Sequence, residues 1–112
     1  MKTKSNGCTG KLPNALKSRA SNIVRVVLDE FGIDEEALFG GDRKPLTCWA
    51  RWVMFKQLRA LGMTCGMVGN YAGYNHSSVS YGVVQLNTRL GQFDPEYDAL
   101  RMYAEAVDSQ LA

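Results

Sequence analysis

Several residue types are scarce in this chain of 112 residues, and each scarcity excludes a class of protein. The chain has one histidine, and its three cysteines, Cys8, Cys48 and Cys65, form no Cys-x-x-Cys pair. These numbers and spacings indicate neither a disulfide framework nor a zinc site, so no metal is predicted. No apolar run approaches the roughly 18 residues that span a bilayer, and no signal-peptide core is recognisable. We expect a soluble cytoplasmic protein without a membrane partner.

Signatures of catalysis are also missing. One stretch is superficially similar to a phosphate-binding loop, namely Gly7-Cys-Thr-Gly-Lys11. It lacks the glycine-to-lysine spacing of such loops and follows no strand, so an NTPase site is rejected. No pairing of a nucleophile with a base and no cofactor loop is recognisable. The sequence predicts no enzyme and no cofactor.

Charge is distributed unevenly, although the formal net charge is only +2. Two acid-free segments carry most of the basic residues: Lys2, Lys4, Lys11, Lys17, Arg19 and Arg25 in the first, and Arg43, Lys44, Arg51, Lys56 and Arg59 in the second. The acids gather at Asp29 to Glu36 and at Asp94 to Asp108. Such segregation can give a near-neutral protein one basic face that suits nucleic acid, although ordinary solvated surfaces produce the same pattern.

Helical periodicity runs through most of the chain, and no segment alternates as a strand does. Residues 1–20 are rich in Lys, Ser, Asn, Gly and Thr, which predicts a mobile basic arm. Residues 21–112 are expected to form one helical domain whose first helix begins at Ser21 or Asn22. The predicted fold class is all-α, a bundle of five to six helices.

Three further helices follow from capping residues and apolar spacing. A short helix is expected after Asp34 as its N-cap. The most apolar helix is predicted at about Thr47 to Leu61, with Thr47 as its cap, and its wide apolar surface indicates a central position with neighbours on several sides. A last helix is expected to begin near Asp94-Pro95, because proline suits a first helical turn.

The most distinctive stretch joins two helices through a short turn at Ala72-Gly73, with Thr64 and Asn75 as their caps. Two helices joined by a glycine-containing turn predict a helix-turn-helix at about residues 64–90. Apolar residues recur along the second helix as one buried stripe: Val79, Val83, Leu86 and Leu90. The first turn of that helix is polar and consists of His76, Ser77 and Ser78.

Helix-turn-helix proteins read bases mostly with the amino-terminal residues of the second helix, which here are the three polar residues that follow Asn75. The backbone N–H groups at that end also favour a phosphate. Asn75 can cap the helix or pair with adenine. The same residues are equally a good capping sequence without any ligand, so the motif alone leaves both alternatives open.

This stretch resembles the signature of the DNA-binding domain of the bacterial replication initiator DnaA, roughly Ile-Gly-x-x-Phe-Gly-Gly-Arg-Asp-His-(Ser/Thr)-(Ser/Thr)-Val. The matching residues are Val68-Gly69, Tyr71, Gly73 and His76-Ser77-Ser78-Val79. This copy is one residue shorter before the histidine, and it has Tyr74 for the arginine and Asn75 for the aspartate. The departures imply a changed site preference or a loss of specific binding, while the Tyr74 hydroxyl can still donate to a phosphate.

A second stretch, Arg43-Lys-Pro-Leu-Thr-Cys-Trp-Ala-Arg51, is similar to the family's Arg-x-x-x-(Ile/Val)-x-x-x-Arg-Gln segment. The resemblance implies that Arg43 enters the minor groove and that Arg51 contacts the DNA backbone. For Arg51 the alternative is a solvent-facing ion pair with Asp42. Trp52 stands where the family has glutamine, and we expect it to be buried or at an interface.

The resemblance implies a domain that binds double-stranded DNA in a sequence-specific manner. The residues expected to bind DNA are Arg43, Lys44, Arg51, Tyr74, Asn75, His76, Ser77 and Ser78. Because no ATPase motor accompanies the domain in this chain, we expect a stand-alone phage or bacterial regulator of replication or transcription, including replication-origin binding, in the cytoplasm or nucleoid.

The alternative is a protein-interaction module that keeps the initiator-domain fold and modulates a replication or transcription protein. Its contacts would come from Trp49, Trp52 and Phe55 or from the acidic last helix. The oligomeric state, the DNA site and the choice between a replication and a transcription role stay open.

Overall fold

The computed structural model describes residues 13–112, and over that range the chain is helical without any strand. Six α-helices follow one another: α1 (Asn14–Phe31), α2 (Glu35–Phe39), α3 (Pro45–Ala60), α4 (Cys65–Ala72), α5 (His76–Leu90) and α6 (Asp98–Leu111). A short 3-10 helix, Pro95–Tyr97, precedes α6. The predicted all-α bundle of five to six helices is confirmed. None of the helices between residues 13 and 112 has both the length and the apolar character that a membrane crossing needs.

The first helix is longer than expected. α1 begins at Asn14, and Ala20 is fully buried, so residues 14–20 belong to the helical domain and not to the predicted arm. The early turns escaped prediction because small, polar and basic residues dominate them, with Leu16 packing only partly against the core. The rest of the predicted arm, residues 1–12, lies outside the described part of the chain.

The third helix is the centre of the bundle. It packs against α1, α2, α4 and α5, whereas α6 packs mainly against α1 and the 3-10 helix. Met54, Phe55 and Leu58 of α3 are fully buried, and burying a side chain of this size contributes roughly 1.5–3 kcal/mol. The prediction of a central apolar helix with neighbours on several sides is therefore confirmed.

The start of α3 differs from the prediction. Lys44 occupies the N-cap position and Pro45 the first turn, so the helix begins before Thr47. Thr47 is buried within the first turn and does not cap the helix, which corrects the expected boundary. Proline is well suited to this position because the N–H group that it lacks would have no partner inside the helix.

Three predicted N-caps are confirmed. The side chains of Asp34, Thr64 and Asn75 accept hydrogen bonds from the backbone N–H groups three residues later, at 2.8, 3.1 and 3.0 Å. Such a cap is typically worth about 1 kcal/mol. Asp94 also caps a helix, but this is the 3-10 helix, and α6 itself begins at Asp98.

Candidate nucleic-acid interface

The turn between α4 and α5 is tight because two glycines permit it. Gly73 ends α4 with φ at +81°, and the N–H groups of Gly73 and Tyr74 both donate to the Gly69 carbonyl oxygen, at 2.8 and 2.9 Å. A Cβ atom at Gly69 would collide with the Tyr74 carbonyl oxygen. Close approach of the two helices therefore requires glycine at residue 69 and a left-handed residue at 73. The result is a pair of packed helices with the short turn of the predicted helix-turn-helix.

The first turn of α5 is exposed to solvent. Asn75 accepts from the Ser78 N–H group, and the side chains of His76, Ser77 and Ser78 are all exposed. Because the first N–H groups of an α-helix have no acceptor within it, those of His76 and Ser77 face outward. This end of the helix therefore presents hydrogen-bonding side chains together with the positive end of the helix dipole.

The rest of α5 is anchored in the core. Val79 and Leu86 are fully buried, while Val83 and Leu90 are half-buried, so the predicted stripe faces inward. Gly82 is also buried, and a Cβ atom there would lie 2.7 Å from Trp52 Cδ1. A larger residue at 82 would separate α5 from α3, so this glycine sets the depth at which α5 sits.

A groove of about 650 Å³ lies between the first two turns of α5, the first three turns of α3 and the loop before α3. Six of the eight residues predicted to bind DNA line it: Arg43, Arg51, Tyr74, Asn75, Ser77 and Ser78. Lys44 and His76 are exposed but do not line the groove. The structure thus brings the two motif segments together, although about thirty residues separate them in the sequence.

Arg51 binds the protein's own backbone. Its side chain is buried, with 8% of the residue exposed, and its Nε and Nη2 atoms donate to the carbonyl oxygens of Leu38 and Ala37 at 3.0 and 3.1 Å. It forms no ion pair with Asp42, so the expected solvent-facing pair is wrong. The guanidinium group instead holds the carboxyl end of α2, where a positive charge is favourable.

Tyr74 supports the same end of α2. Its hydroxyl donates to the Leu38 carbonyl oxygen at 3.0 Å and accepts from the Gly41 N–H group at 3.2 Å. The Arg51 guanidinium lies 5.1 Å from the centre of the Tyr74 ring. The hydroxyl that could have donated to a phosphate is therefore engaged inside the protein, which corrects that expectation.

The aromatic residues of α3 do not form an exposed surface. Phe55 is fully buried, and its ring meets the Tyr74 ring edge-on, with the centroids 5.6 Å apart. Trp52 is half-buried under the Arg89 guanidinium, which lies 4.9 Å from the ring centre. Phe55 is therefore unavailable to a protein partner, and this part of the expected alternative is wrong.

The groove lies in an acid-free part of the chain. Residues 43–93, which include α3, α4 and α5, contain no aspartate or glutamate, so all 11 acids lie elsewhere. Arg43 and Lys44 are exposed at the edge of this part. None of the residues that line the groove is acidic, although Asp42 precedes Arg43 in the adjoining loop. The charged side chains of the lining are therefore all positive, which favours a polyanion.

Two exposed residues of α5 were missed. Tyr81 is 60% exposed and lines the groove, and Val84 is 56% exposed. Both are large apolar residues that lie off the buried stripe of α5. The signal was available in the sequence, because a helix whose stripe is already complete has no core position for them.

Together these features define a small all-α domain in which a helix-turn-helix lies beside an acid-free groove. No protein-family model, curated protein or solved structure matches the chain. The similarity to the initiator's DNA-binding domain therefore depends on the motif residues alone.

Proposed function

We propose that this chain binds double-stranded DNA in a sequence-specific manner, with α5 in the major groove. The observation that carries the proposal is the acid-free groove that joins Arg43 to the exposed first turn of α5. The major groove of B-DNA is about 12 Å wide and admits a helix, whose amino-terminal residues then reach the base edges.

The exposed residues have distinct roles in this proposal. His76, Ser77 and Ser78 contact base edges and the adjacent phosphates from the first turn of α5. Arg43 reaches the minor groove, where a narrow groove strengthens the negative potential, and Lys44 contacts a phosphate. Both are exposed and precede α3, and Arg43 lines the groove.

The less exposed residues position the others. Asn75 caps α5 and fixes the direction of its first turn. Arg51 and Tyr74 bind the carboxyl end of α2 and so hold the loop that carries Arg43 against the groove. In this proposal Arg51 and Tyr74 act through the protein's own backbone, because Arg51 Nε and Nη2 and the Tyr74 hydroxyl donate to carbonyl oxygens of α2.

The biological setting that we propose is a bacterial or phage regulator of replication or transcription in the cytoplasm or nucleoid. The resemblance of the motif to the initiator's DNA-binding domain supports this setting, including binding at a replication origin. The proposed role is binding and not catalysis.

The test is selection of random duplex DNA on the purified protein at physiological salt, with wild type, His76→Ala and Asn87→Ala compared. Asn87 is a matched control because it is also polar and exposed on α5, but near the other end. We expect an enriched motif that blurs with His76→Ala and persists with Asn87→Ala, since each good base contact is worth about 1–3 kcal/mol. No enrichment, with weak binding that disappears as salt is raised, would contradict sequence-specific binding.

A salt titration separates base contacts from phosphate contacts. Lys44→Ala should weaken binding to all sequences alike and reduce the slope of log K against log salt by about 0.9. His76→Ala should leave that slope closer to the wild-type value. Equal losses on specific and random duplexes for both variants would contradict the assigned roles.

A protein-interaction module is the second candidate, and two exposed side chains favour it. Phe93 is 91% exposed and Met102 is 70% exposed, and Met102 lies on the acidic helix α6. Under this candidate, Met102→Ser would disrupt a complex with a replication or transcription protein. His76→Ala would leave that complex intact, and the DNA selection would give no motif.

A further inference from the structure

The exposed side of α5 continues beyond its first turn. Ser77, Tyr81 and Val84 follow at spacings of four and three residues, so they lie on one face of the helix. Tyr81 and Val84 are 60% and 56% exposed, while the core positions of the same helix are filled by Val79 and Leu86. The two exposed residues are therefore free to contact something outside the fold.

This face is continuous with the groove. Tyr81 lines it together with Ser77 and Ser78, and Val84 comes one turn later along α5. No carboxylate occurs anywhere between residues 43 and 93, so no acid in α3, α4 or α5 repels a polyanion. Nucleic acid is the occupant that we consider for this apolar face, because the face adjoins the groove that is proposed to bind DNA.

The distance along the helix fits the same groove. At 1.5 Å per residue, Val84 lies about 12 Å along the axis from His76. The major groove is about 12 Å wide, so the second and third turns of α5 can lie over bases while its first turn contacts others.

We propose that Tyr81 and Val84 contact the 5-methyl groups of thymines in the major groove, so that the DNA site contains thymine beneath the second and third turns of α5. Valine has no side-chain hydrogen-bonding group, and thymine is the one standard base that presents a methyl group there. This inference rests on the proposed DNA binding and adds the base that this part of the helix prefers.

The test uses the duplex obtained by selection, with its thymines replaced one at a time by deoxyuridine, which lacks only the methyl group. Burying a methyl-sized group is worth about 0.8 kcal/mol, so each contacted thymine should lose about fourfold in affinity on replacement. The thymines that respond should form one cluster, next to the bases whose preference is blurred by His76→Ala.

Three variants identify the side chains involved. Val84→Ser and Tyr81→Ser should bind the thymine duplex more weakly and lose the discrimination against deoxyuridine at one position each. Val84→Thr keeps one methyl group and should retain part of that discrimination. Met102→Ser removes a similarly exposed apolar side chain from α6 and should change neither affinity nor discrimination. Thermal unfolding of each variant checks that the fold is unchanged.

Distinct outcomes overturn the two proposals. A specific duplex that tolerates every deoxyuridine replacement overturns the thymine contacts and leaves DNA binding intact. Discrimination that persists when Tyr81 and Val84 are both serine also overturns them, because another group must then contact the methyl. A protein that selects no duplex at all overturns the proposed function itself.

Discussion

The acid-free part of the chain, residues 43–93, and the helices on either side of it hold their arginines in different ways. Within the acid-free part, Arg51 bonds two backbone carbonyl oxygens, and Arg89 lies between the rings of Trp52 and Tyr97 at 4.9 and 5.6 Å. In the flanking helices, Arg25 and Arg101 pair with carboxylates: Arg25 with Asp29 at 3.5 Å, and Arg101 with Asp98 at 3.0 Å.

The difference shows that the position of an arginine side chain can be fixed without cancelling its electrostatic field. A carboxylate partner cancels the field of an arginine, whereas a carbonyl oxygen or an aromatic ring is neutral and leaves the positive charge in place. Around the candidate interface the protein uses only the neutral partners. In the flanking helices, which the proposal leaves outside the interface, Arg25 and Arg101 add an ion pair to their neutral partners, the Asn22 side chain and the Gln92 carbonyl oxygen.

The candidate interface depends first on the close approach of α4 and α5. We expect Gly69→Ala to have the largest effect, because it disturbs this packing. The new Cβ would meet the Tyr74 carbonyl oxygen, and such overpacking costs about 3 kcal/mol of unfolding free energy. Gly66→Ala is the control in the same helix, because its Cβ would meet nothing closer than 3.8 Å, and it should stabilise by about 0.5 kcal/mol. Urea unfolding measures both, and equal effects would contradict the packing account.

Arg51→Met tests whether the hydrogen bonds from Arg51 to backbone carbonyl oxygens stabilise the fold. The change keeps much of the apolar stem but removes both hydrogen bonds to α2, so we expect a loss of about 2 kcal/mol of unfolding free energy. Arg43→Ala, at an exposed position, should leave stability unchanged and weaken DNA binding. Thermal unfolding and a binding titration separate the two. If Arg43→Ala lowered the stability and Arg51→Met did not, the assignment of Arg51 to stability and of Arg43 to DNA binding would be contradicted.

An acidic residue introduced at the candidate interface tests whether the absence of carboxylates there matters for DNA binding. Ser77→Glu places a carboxylate in the first turn of α5, where the helix dipole favours it by about 0.5 kcal/mol, so stability should rise slightly. DNA affinity should nevertheless fall by at least about tenfold, or 1.4 kcal/mol, because the carboxylate would face phosphates. Ser109→Glu on α6 is the matched control and should leave affinity unchanged. The proposal fails if the two variants bind DNA alike.

The smallest effect is expected in the flanking helices. Asp29→Asn removes the ion pair with Arg25, whose side chain is 65% exposed, so the unfolding free energy should change by no more than about 0.5 kcal/mol. Denaturant unfolding at low and high salt measures it. A loss as large as that of Arg51→Met would show that the flanking ion pairs support the fold as strongly as the neutral partners do.

Local features of the fold could be predicted from the sequence. The caps at Asp34, Thr64 and Asn75 depend on residues three apart. The buried stripe of α5 depends on neighbouring turns, so both features can be recognised from residues close together in the sequence. The starts of α1 and α3 were misplaced, because the first turns of α1 carry few apolar residues and α3 begins at a proline. In α1 the first buried residue is Ala20, so no apolar stripe marks the beginning of that helix.

The candidate site was predicted less completely. The DNA-binding role of the motif residues stays a prediction, and the groove that joins six of them is a consequence of folding. Arg51 and Tyr74 were predicted to contact DNA, whereas both donate to the Leu38 carbonyl oxygen. This acceptor is 13 and 36 residues away from them in the sequence. A backbone acceptor leaves no trace in side-chain composition, so this network could not be predicted.

The position of Trp52 has an optical consequence. The chain has two tryptophans, Trp49 and Trp52, and both lie on α3. Trp52 also lines the groove and lies beneath the Arg89 guanidinium. Ultraviolet-excited emission from the unlabelled protein is therefore dominated by this one helix. Replacing Trp49 with phenylalanine would leave a single emitter at the wall of the groove, so that ligand entry could be followed in real time without attaching a dye.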